Sequence, residues 1–360
     1  MTRLQNIGDV LTFIPALRTL RQALPDAHIT FLGKHAGGLE IMRGCPYIND
    51  KLVVRKRSLR EKVRLVMALR RRRPDYFIIS PQDLGRAPLA WLGGARTIAG
   101  YPRFCNYGRW QHEKLPFLLG IAPKHDTTRT EVENCLRLVQ DVLDHLQVPM
   151  PPQASMMLEY SWHTAEDQQH AVAALRAFGI GPATPFVAAA PVSKRPAKNW
   201  PPARFVELFQ KMRQTWQCPV VLLGGRAERI RLDELCRAVG PGCVTCAGEL
   251  SLAASAVVLQ SARVFVGPDS GPAFLASAVG TPVIALYGPA DFYRWRPPAT
   301  TAPRINIFHP ASCTPCRHQV CPLPTPCMAH ITVEEVWQAC NTLFEQSASN
   351  IEHPTSNVEH

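Results

Sequence analysis

The chain has 360 residues, 46% of them apolar and 19% charged, which is the balance of a globular protein with room for two α/β domains. No apolar run reaches roughly 18 residues, which excludes a helical membrane span, and the start MTRLQNIGDV lacks the apolar core of a signal peptide, so the expected compartment is the cytoplasm. With no export signal, the 12 cysteines read as reduced thiols or a local metal site and not as a secreted disulfide scaffold.

Asn6-Ile7-Gly8-Asp9 leads into an amphipathic helix over 10–21, with apolar residues at i, i+3, i+4 and i+7. A Rossmann-like domain has a buried strand ahead of such a loop. Only residues 2–5 are available for it, so the chain is expected to begin in, or just past, its first strand. Asp9 is open to two readings: an N-cap, or a general base for a hydroxyl nucleophile. Strands at 27–32, 51–54, 76–80 and 96–99 alternate with helices near 38–42, at 55–73 and at 87–92, which implies a parallel sheet covered on both faces.

The net charge of +12 is concentrated. Arg55, Lys56, Arg57, Arg60, Lys62, Arg64, Arg70, Arg71, Arg72 and Arg73 stand against one acid, Glu61. Leu59, Val63, Val66, Met67 and Leu69 recur near helical spacing, so the segment is expected to turn an apolar face inward and a basic face outward. Such a face is either simply solvated or attracted to an anionic surface of phospholipid headgroups or phosphorylated glycolipid. Nucleic acid is not expected as a partner, because no aromatics interleave and no binding module accompanies the charge.

Residues 103–124 show no regular pattern. A helix follows over 130–146, with Val132, Leu136, Val139, Val142, Leu143 and Leu146 on one face, and prolines from Pro149 to Pro152 open a linker toward Pro185. A helix at 165–178 lies within or just after that linker. The alternation then resumes: strands at 186–190, 220–223, 244–245, 264–266 and 282–287, and helices at 203–216, after Gly224-Gly225, at 252–260, at 273–279 and at 331–346. Residues 347–360 read as a frayed tail.

The strand, helix, strand unit VFVGPDSGPAFLASAVGTPVIALYGP at 264–289 has Asp269 or Ser270 as N-cap, Pro272 just inside and Gly280 just past the helix. A helix starting at the carboxyl end of a parallel strand suits an anion such as a diphosphate. Four polar loops leave strand ends in this half, at 193–198, 224–228, 248–251 and 269–271. No Gly-x-Gly-x-x-Gly fingerprint, phosphate-binding Gly-x-x-x-x-Gly-Lys loop or Asp-x-Asp pair occurs, so dehydrogenase and ATPase chemistry lose their main support, and a diphosphate would be neutralised by lysines and helix N-termini. Cys313, Cys316, Cys321 and Cys327 are spaced C-x2-C-x4-C-x5-C, which fits a zinc or iron–sulfur site, a local structural knuckle or a disulfide.

Asn6 to Leu11 with Pro15-Ala16-Leu17-Arg18, and Asp269-Ser270-Gly271-Pro272 with Gly280 to Pro289 and Trp295, together resemble the lipopolysaccharide heptosyltransferases of glycosyltransferase family 9, over about residues 3–340. The resemblance implies a GT-B fold, two Rossmann-like domains facing each other across a cleft: an N-terminal acceptor-binding domain over 1–165, a nucleotide-sugar domain over 166–346 carrying the cysteine cluster, and a disordered tail over 347–360. It implies an inverting, metal-independent enzyme that needs no cofactor and moves heptose from ADP-heptose to an inner-core hydroxyl of a lipid A-core glycolipid at the inner face of the inner membrane. Asp9 matches the catalytic base, Ser193 with Lys194 or Lys198 the diphosphate grip, Glu228 the ribose-holding acid, and Asp269, Ser270 and Gly271 the loop at the sugar and phosphates. Arg60, Arg64 and Arg70 to Arg73 would face acceptor or membrane. Where the family often has His this chain has Phe274. Three rivals share the architecture: a glycosyltransferase for another nucleotide sugar, a sugar-nucleotide epimerase or hydrolase, and a non-catalytic nucleotide-sugar or lipid-binding protein.

Overall fold

The structure, a computed structural model, describes residues 6–33, 36–54, 58–80, 85–106, 109–298, 300–323 and 327–352. The chain divides between Trp162 and His163 into two compact units, and a return segment beginning at Tyr293 belongs to the first.

In the first unit the helices Ile7–Leu11 (α1) and Ile14–Ala23 (α2) precede Thr30–Gly33 (β1), Ala36–Ile41 (α3) and Asp50–Val53 (β2). Then come Leu59–Arg72 (α4), Tyr76–Ile78 (β3), Ala87–Leu92 (α5), Thr97–Ala99 (β4), Arg103–Asn106 (β5), Arg109–His112 (β6) and Glu131–His145 (α6). β1 pairs with β2 and β3 with β4, both in parallel, whereas β5 and β6 form an antiparallel hairpin. That hairpin falls in the stretch that has no pattern in the sequence, because β6 is exposed along its whole length and so carries no apolar alternation. The expected first strand, with Met1 to Gln5, lies outside the described residues, as do Arg55, Lys56 and Arg57.

The register of α4 differs from expectation. Ser58 caps it through the Glu61 N–H at 3.2 Å, and Leu65, Leu69 and Glu61 turn inward. Leu59, Val63 and Met67 are 76%, 55% and 46% exposed, so they form an apolar stripe on the outer side among the arginines instead of the inner face. The segment read as linker is tied down at its start. Arg18 pairs with Glu159 at 2.5 Å and donates to the carbonyl of Ser155 at 2.8 Å, and the Trp162 indole donates to the Ile41 carbonyl at 2.6 Å.

The second unit runs Ala165–Ala177 (α7), Val187–Ala189 (β7), Pro202–Trp216 (α8), Val220–Leu222 (β8), Arg229–Val239 (α9), Cys243–Thr245 (β9), Leu252–Ser261 (α10), Val264–Pro268 (β10), Gly271–Ala278 (α11) and Val283–Tyr287 (β11). Phe292–Trp295 (α12) spans the point where the chain passes to the first unit; Arg304–Phe308 (β12) and Val333–Glu352 (α13) complete the second. The final helix thus continues beyond the expected end at Gln346, and 353–360 lie outside the described residues. Six parallel strands form one sheet in the order β12-β11-β10-β7-β8-β9. The central strands are buried along their whole length, as a parallel sheet covered by helices requires. The strand β12, not foreseen from the sequence, is an edge strand only partly buried, and its Arg304 and Asn306 break the apolar run.

One histidine in the first unit is buried without polar company. His125 is 7% exposed, sits edge-on to the rings of Phe104 at 4.8 Å and Tyr101 at 5.4 Å, and has no hydrogen-bond partner for either ring nitrogen among the described residues. Burial lowers its pKa from 6.5 to about 4. Over that window the unfolded chain binds a proton that the folded chain refuses, so stability is lost as pH falls from 6.5 toward 4. Chemical denaturation across this range should show His125 costing about 3 kcal/mol in total, at about 1.4 kcal/mol per pH unit. His125→Phe should flatten the profile by that amount, and an unchanged slope would refute the assignment.

Candidate functional site

The strand order of the second unit reverses between β7 and β10: from β7 the chain first builds outward through β8 and β9, then returns to place β10 on the other side. Loops at such a switch point diverge and leave a crevice at the carboxyl ends of the strands, where ligands bind in sheets of this kind. Two of the loops expected to be functional, 193–198 after β7 and 269–271 after β10, flank this point.

They are joined by a buried ion pair. Lys198 Nζ lies 2.6 Å from Asp269 Oδ2 and 2.9 Å from the Asp269 carbonyl, and the two side chains are 18% and 3% exposed. Asp269 is held from behind by its own N–H, which donates to the Leu286 carbonyl at 2.9 Å. Ser270 is the N-cap of α11, with Pro272 in the first turn, yet its hydroxyl makes no capping bond and has no partner among the described residues. The first turn of α11 therefore keeps its amide dipoles directed at the crevice without a side-chain cap.

The 193–198 loop is itself braced. Asn199 accepts from the Ser193 N–H at 2.8 Å, and the Ser193 hydroxyl donates to the Arg195 carbonyl at 2.9 Å. Arg195 donates to the His318 carbonyl at 2.9 Å and to the Cys316 carbonyl, and the Ala197 N–H reaches the Gln319 carbonyl at 2.9 Å. Of the two candidate lysines, Lys198 is the one brought to Asp269; Lys194 is exposed. The residue Glu228, on the loop after β8, accepts from the Gly225 N–H at 2.6 Å and so sits one strand further along the same edge. Gly248, after β9, has φ +75° and approaches the Arg226 backbone so closely that an added Cβ would lie 2.7 Å from its Cα. Phe274 is buried, with the Arg304 guanidinium 6.0 Å from its ring, and supplies no polar contact.

Asp9 belongs to the first unit. It lies inside the first turn of α1, not on a loop ahead of a helix starting at Val10, and Asn6 is the N-cap. Its carboxylate accepts from the Asn6 N–H and side-chain amide, each at 3.0 Å, which fixes its direction. Two residues not singled out from the sequence form a buried ion pair in the same unit: Arg294 and Glu131, 2.9 Å apart and 4% and 1% exposed. The guanidinium also donates to the Cys105 carbonyl at 2.8 Å and stacks 4.1 Å from the Phe104 ring. Their separation of 163 positions leaves no sequence signal.

In the cysteine cluster, Cys313, Cys316 and Cys321 lie near enough to Cys327 to act on it electrostatically. Cys313 is exposed, Cys316 and Cys321 are partly exposed, and Cys327 is buried, all as free thiols. Among the described residues no group of three or more His, Cys, Asp or Glu side chains is arranged to hold a metal ion. Burial raises the Cys327 thiol pKa above its ordinary value.

The Lys198–Asp269 pair sets a stability expectation. Lys198→Met should leave a carboxylate buried without its cation and cost about 3 kcal/mol or more in equilibrium unfolding, whereas Lys194→Met should change almost nothing. Equal effects would mean that the buried pair is not what holds the two loops.

Comparison with known proteins follows the same lines. A family model described as "Glycosyltransferase family 9 (heptosyltransferase)" matches residues 62–326. Lipopolysaccharide heptosyltransferase 3 of Escherichia coli K12 is 25% identical over 304 residues, covering 81% of this chain and 82% of the relative. Lipopolysaccharide heptosyltransferase 1 of Pseudomonas aeruginosa is 26% identical over 340 residues, covering 89% and 86%. Among solved structures, a family 9 glycosyl transferase from Veillonella parvula superposes with a TM-score of 0.78 at 19% identity, covering 95% of each chain, and E. coli ADP-heptose LPS heptosyltransferase II with 0.74 at 20%, covering 97% and 100%. The fold is accordingly GT-B, two Rossmann-like units in one chain. Matched by the family model over most of its length, the chain is a glycosyltransferase and belongs to glycosyltransferase family 9.

Proposed function

We propose that this glycosyltransferase moves a heptose from ADP-heptose to an inner-core hydroxyl of lipopolysaccharide, with inversion and with no metal in the chemical step. The observation that carries the reading is the Lys198–Asp269 pair at the strand-order reversal, beside the uncapped first turn of α11. A departing ADP carries its charge on the diphosphate. An ammonium and a set of backbone N–H groups, fixed before the reaction, stabilise that charge as it develops. In this scheme Lys198 is shared between Asp269 and the diphosphate, Ser193 and Ser270 add hydroxyl donors, Gly271 lets the backbone approach, and Glu228 accepts from the donor ribose. Asp9 removes the proton from the acceptor hydroxyl as that oxygen attacks the anomeric carbon from the face opposite the leaving group, which inverts the configuration.

The test is a product assay with truncated lipopolysaccharide acceptors and a panel of nucleotide sugars. Heptosylated product that forms only with acceptor present, and unaffected by a chelator, is the expected result. Turnover of the nucleotide sugar without acceptor would favour the epimerase or hydrolase reading, and donor binding with no product would favour a binding protein. Asp9→Asn should lower kcat by about 100-fold or more, the scale of general-base catalysis, while donor affinity stays within about twofold. Unchanged turnover removes Asp9 from the mechanism.

A second part of the proposal concerns the acceptor's setting. No described helix is long and apolar enough to cross a membrane. The stripe of Leu59, Val63 and Met67 stands among Arg60, Arg70, Arg71 and Arg73, with Arg64 paired to Glu61 and Arg72 to Asp50. This pattern suits an interfacial helix that inserts apolar side chains shallowly while its cations meet anionic headgroups. Co-sedimentation with anionic vesicles should weaken as salt rises, and replacing Arg70, Arg71 and Arg73 by Gln should weaken it about tenfold or more. Binding indifferent to both changes would end the membrane role of α4.

A further inference from the structure

The turn that joins α9 to β9 brings two thiols together. Cys236 lies in the last turn of α9, and Cys243 opens β9. Between them Gly240, at φ +95°, ends the helix, and its N–H donates to the Cys236 carbonyl at 2.9 Å. The Cys243 N–H donates back to the Gly240 carbonyl at 3.3 Å. This tight return sets the Cys243 thiol 3.6 Å from the Cys236 sulfur, to which it donates a hydrogen bond.

The two thiols are not equivalent. Cys243 is 8% exposed and belongs to the apolar core that packs helices on the sheet. Cys236 is half-buried and lines an open depression of about 470 Å3 with Phe178, Arg229, Asp233, Arg237 and Thr245. The hydrogen bond from Cys243 lowers the Cys236 pKa and raises that of Cys243. The Arg229 guanidinium also favours the Cys236 thiolate, against burial and Asp233. Simple packing would need neither access for one sulfur nor a bond between the two. An accessible sulfur with a protonated thiol directly behind it suits oxidation at the first and resolution by the second.

We propose that Cys236 and Cys243 form a redox modification site that takes a small hydroperoxide as oxidant and closes to a disulfide, fastening the end of α9 to β9. Cys236 Sγ, as thiolate, attacks one oxygen of hydrogen peroxide. The S–O bond forms, the O–O bond breaks, and the departing hydroxide takes the proton that the thiol gave up and leaves as water. Cys243 Sγ then attacks the sulfenic sulfur of Cys236. The S–S bond forms, the S–O bond breaks, and hydroxide leaves with the Cys243 proton as a second water. Two thiols and one peroxide thus give one disulfide and two waters, the sulfurs being oxidised and the peroxide oxygens reduced. The sulfurs close from 3.6 Å to about 2.05 Å, a distance that rotation about the two Cα–Cβ bonds covers.

The test treats the full chain with a small excess of hydrogen peroxide, alkylates the remaining thiols before unfolding, and maps tryptic peptides. Cleavage after Arg237 separates the pair, so the disulfide joins the peptide ending at Arg237 to the one beginning at Ala238. These linked peptides should appear, and dithiothreitol should abolish them. Cys246 shares the second peptide, and Cys246→Ala should leave the link in place. In Cys243→Ala, Cys236 should stop at the sulfenic acid, trapped by dimedone. In Cys236→Ala, the Cys243 thiol should be consumed at least about tenfold more slowly. Cys236 left as a free thiol, oxidised to the sulfinic acid without a link, or linked to Cys246 overturns the proposal. The mapping on the unmodified chain decides the matter even where a variant fails to fold.

Discussion

The buried pairing of Lys198 with Asp269 is the constraint that ties together two loops at the strand-order reversal of the second unit. Lys198 ends the loop leaving β7 and Asp269 begins the loop leaving β10, and these strands are neighbours only because the chain reverses its direction of sheet building between them. A lysine and an aspartate buried to this degree lose much hydration, and the loss is offset only while they stay within hydrogen-bonding distance. The pair therefore holds two loops in register that no backbone ladder connects.

Its precision rests on the cysteine-rich segment. Arg195 and Ala197 reach carbonyls at 316–319, the Trp200 indole donates to the Ile331 carbonyl at 3.0 Å, and Arg204 donates to the Ala329 carbonyl at 2.6 Å. Every one of these bonds lands on backbone oxygen, so the Lys198 loop and the start of α8 are fastened to main chain at Cys316–Gln319 and at Ala329 and Ile331. Cys316 is anchored in turn by its own N–H, which donates to the Pro289 carbonyl at 3.0 Å.

How much of this could be read beforehand follows the length scale of the cause. Local causes were legible. Thr130 with Glu133, Thr164 with Asp167 and Ser251 ahead of Ala254 start α6, α7 and α10 with caps that are written within four positions. The Asp269–Gly271 loop was legible for the same reason, since strand, cap, proline and glycine follow one another directly. Lys194 and Lys198 could not be told apart, because only the approach of Asp269, 71 positions away, distinguishes them. The inward face of α4 was misjudged because apolar residues occupy both of its sides, and spacing alone cannot say which stripe meets the core. Arg294 with Glu131 was invisible, as a lone arginine and a lone glutamate carry no pattern until the fold brings them together.

In the proposed mechanism the capping role of Asp9 and its role as base do not compete. An N-terminal helical turn is stabilised by an acid that accepts from the cap residue, and this acid accepts from both the N–H and the side-chain amide of Asn6. The same bonds remove the side chain's rotational freedom, which a general base would otherwise surrender in the reaction. A free surface carboxylate would meet an acceptor hydroxyl in many orientations, and one tethered at the start of α1 meets it in few. The cap that makes the aspartate look ordinary in sequence is thus what would make it effective as a base. Because α1 has only five residues and packs on α3, where an added Cβ at Gly37 would lie 3.2 Å from Ile7, the bearing of that carboxylate is set by how firmly this end of the first unit is built.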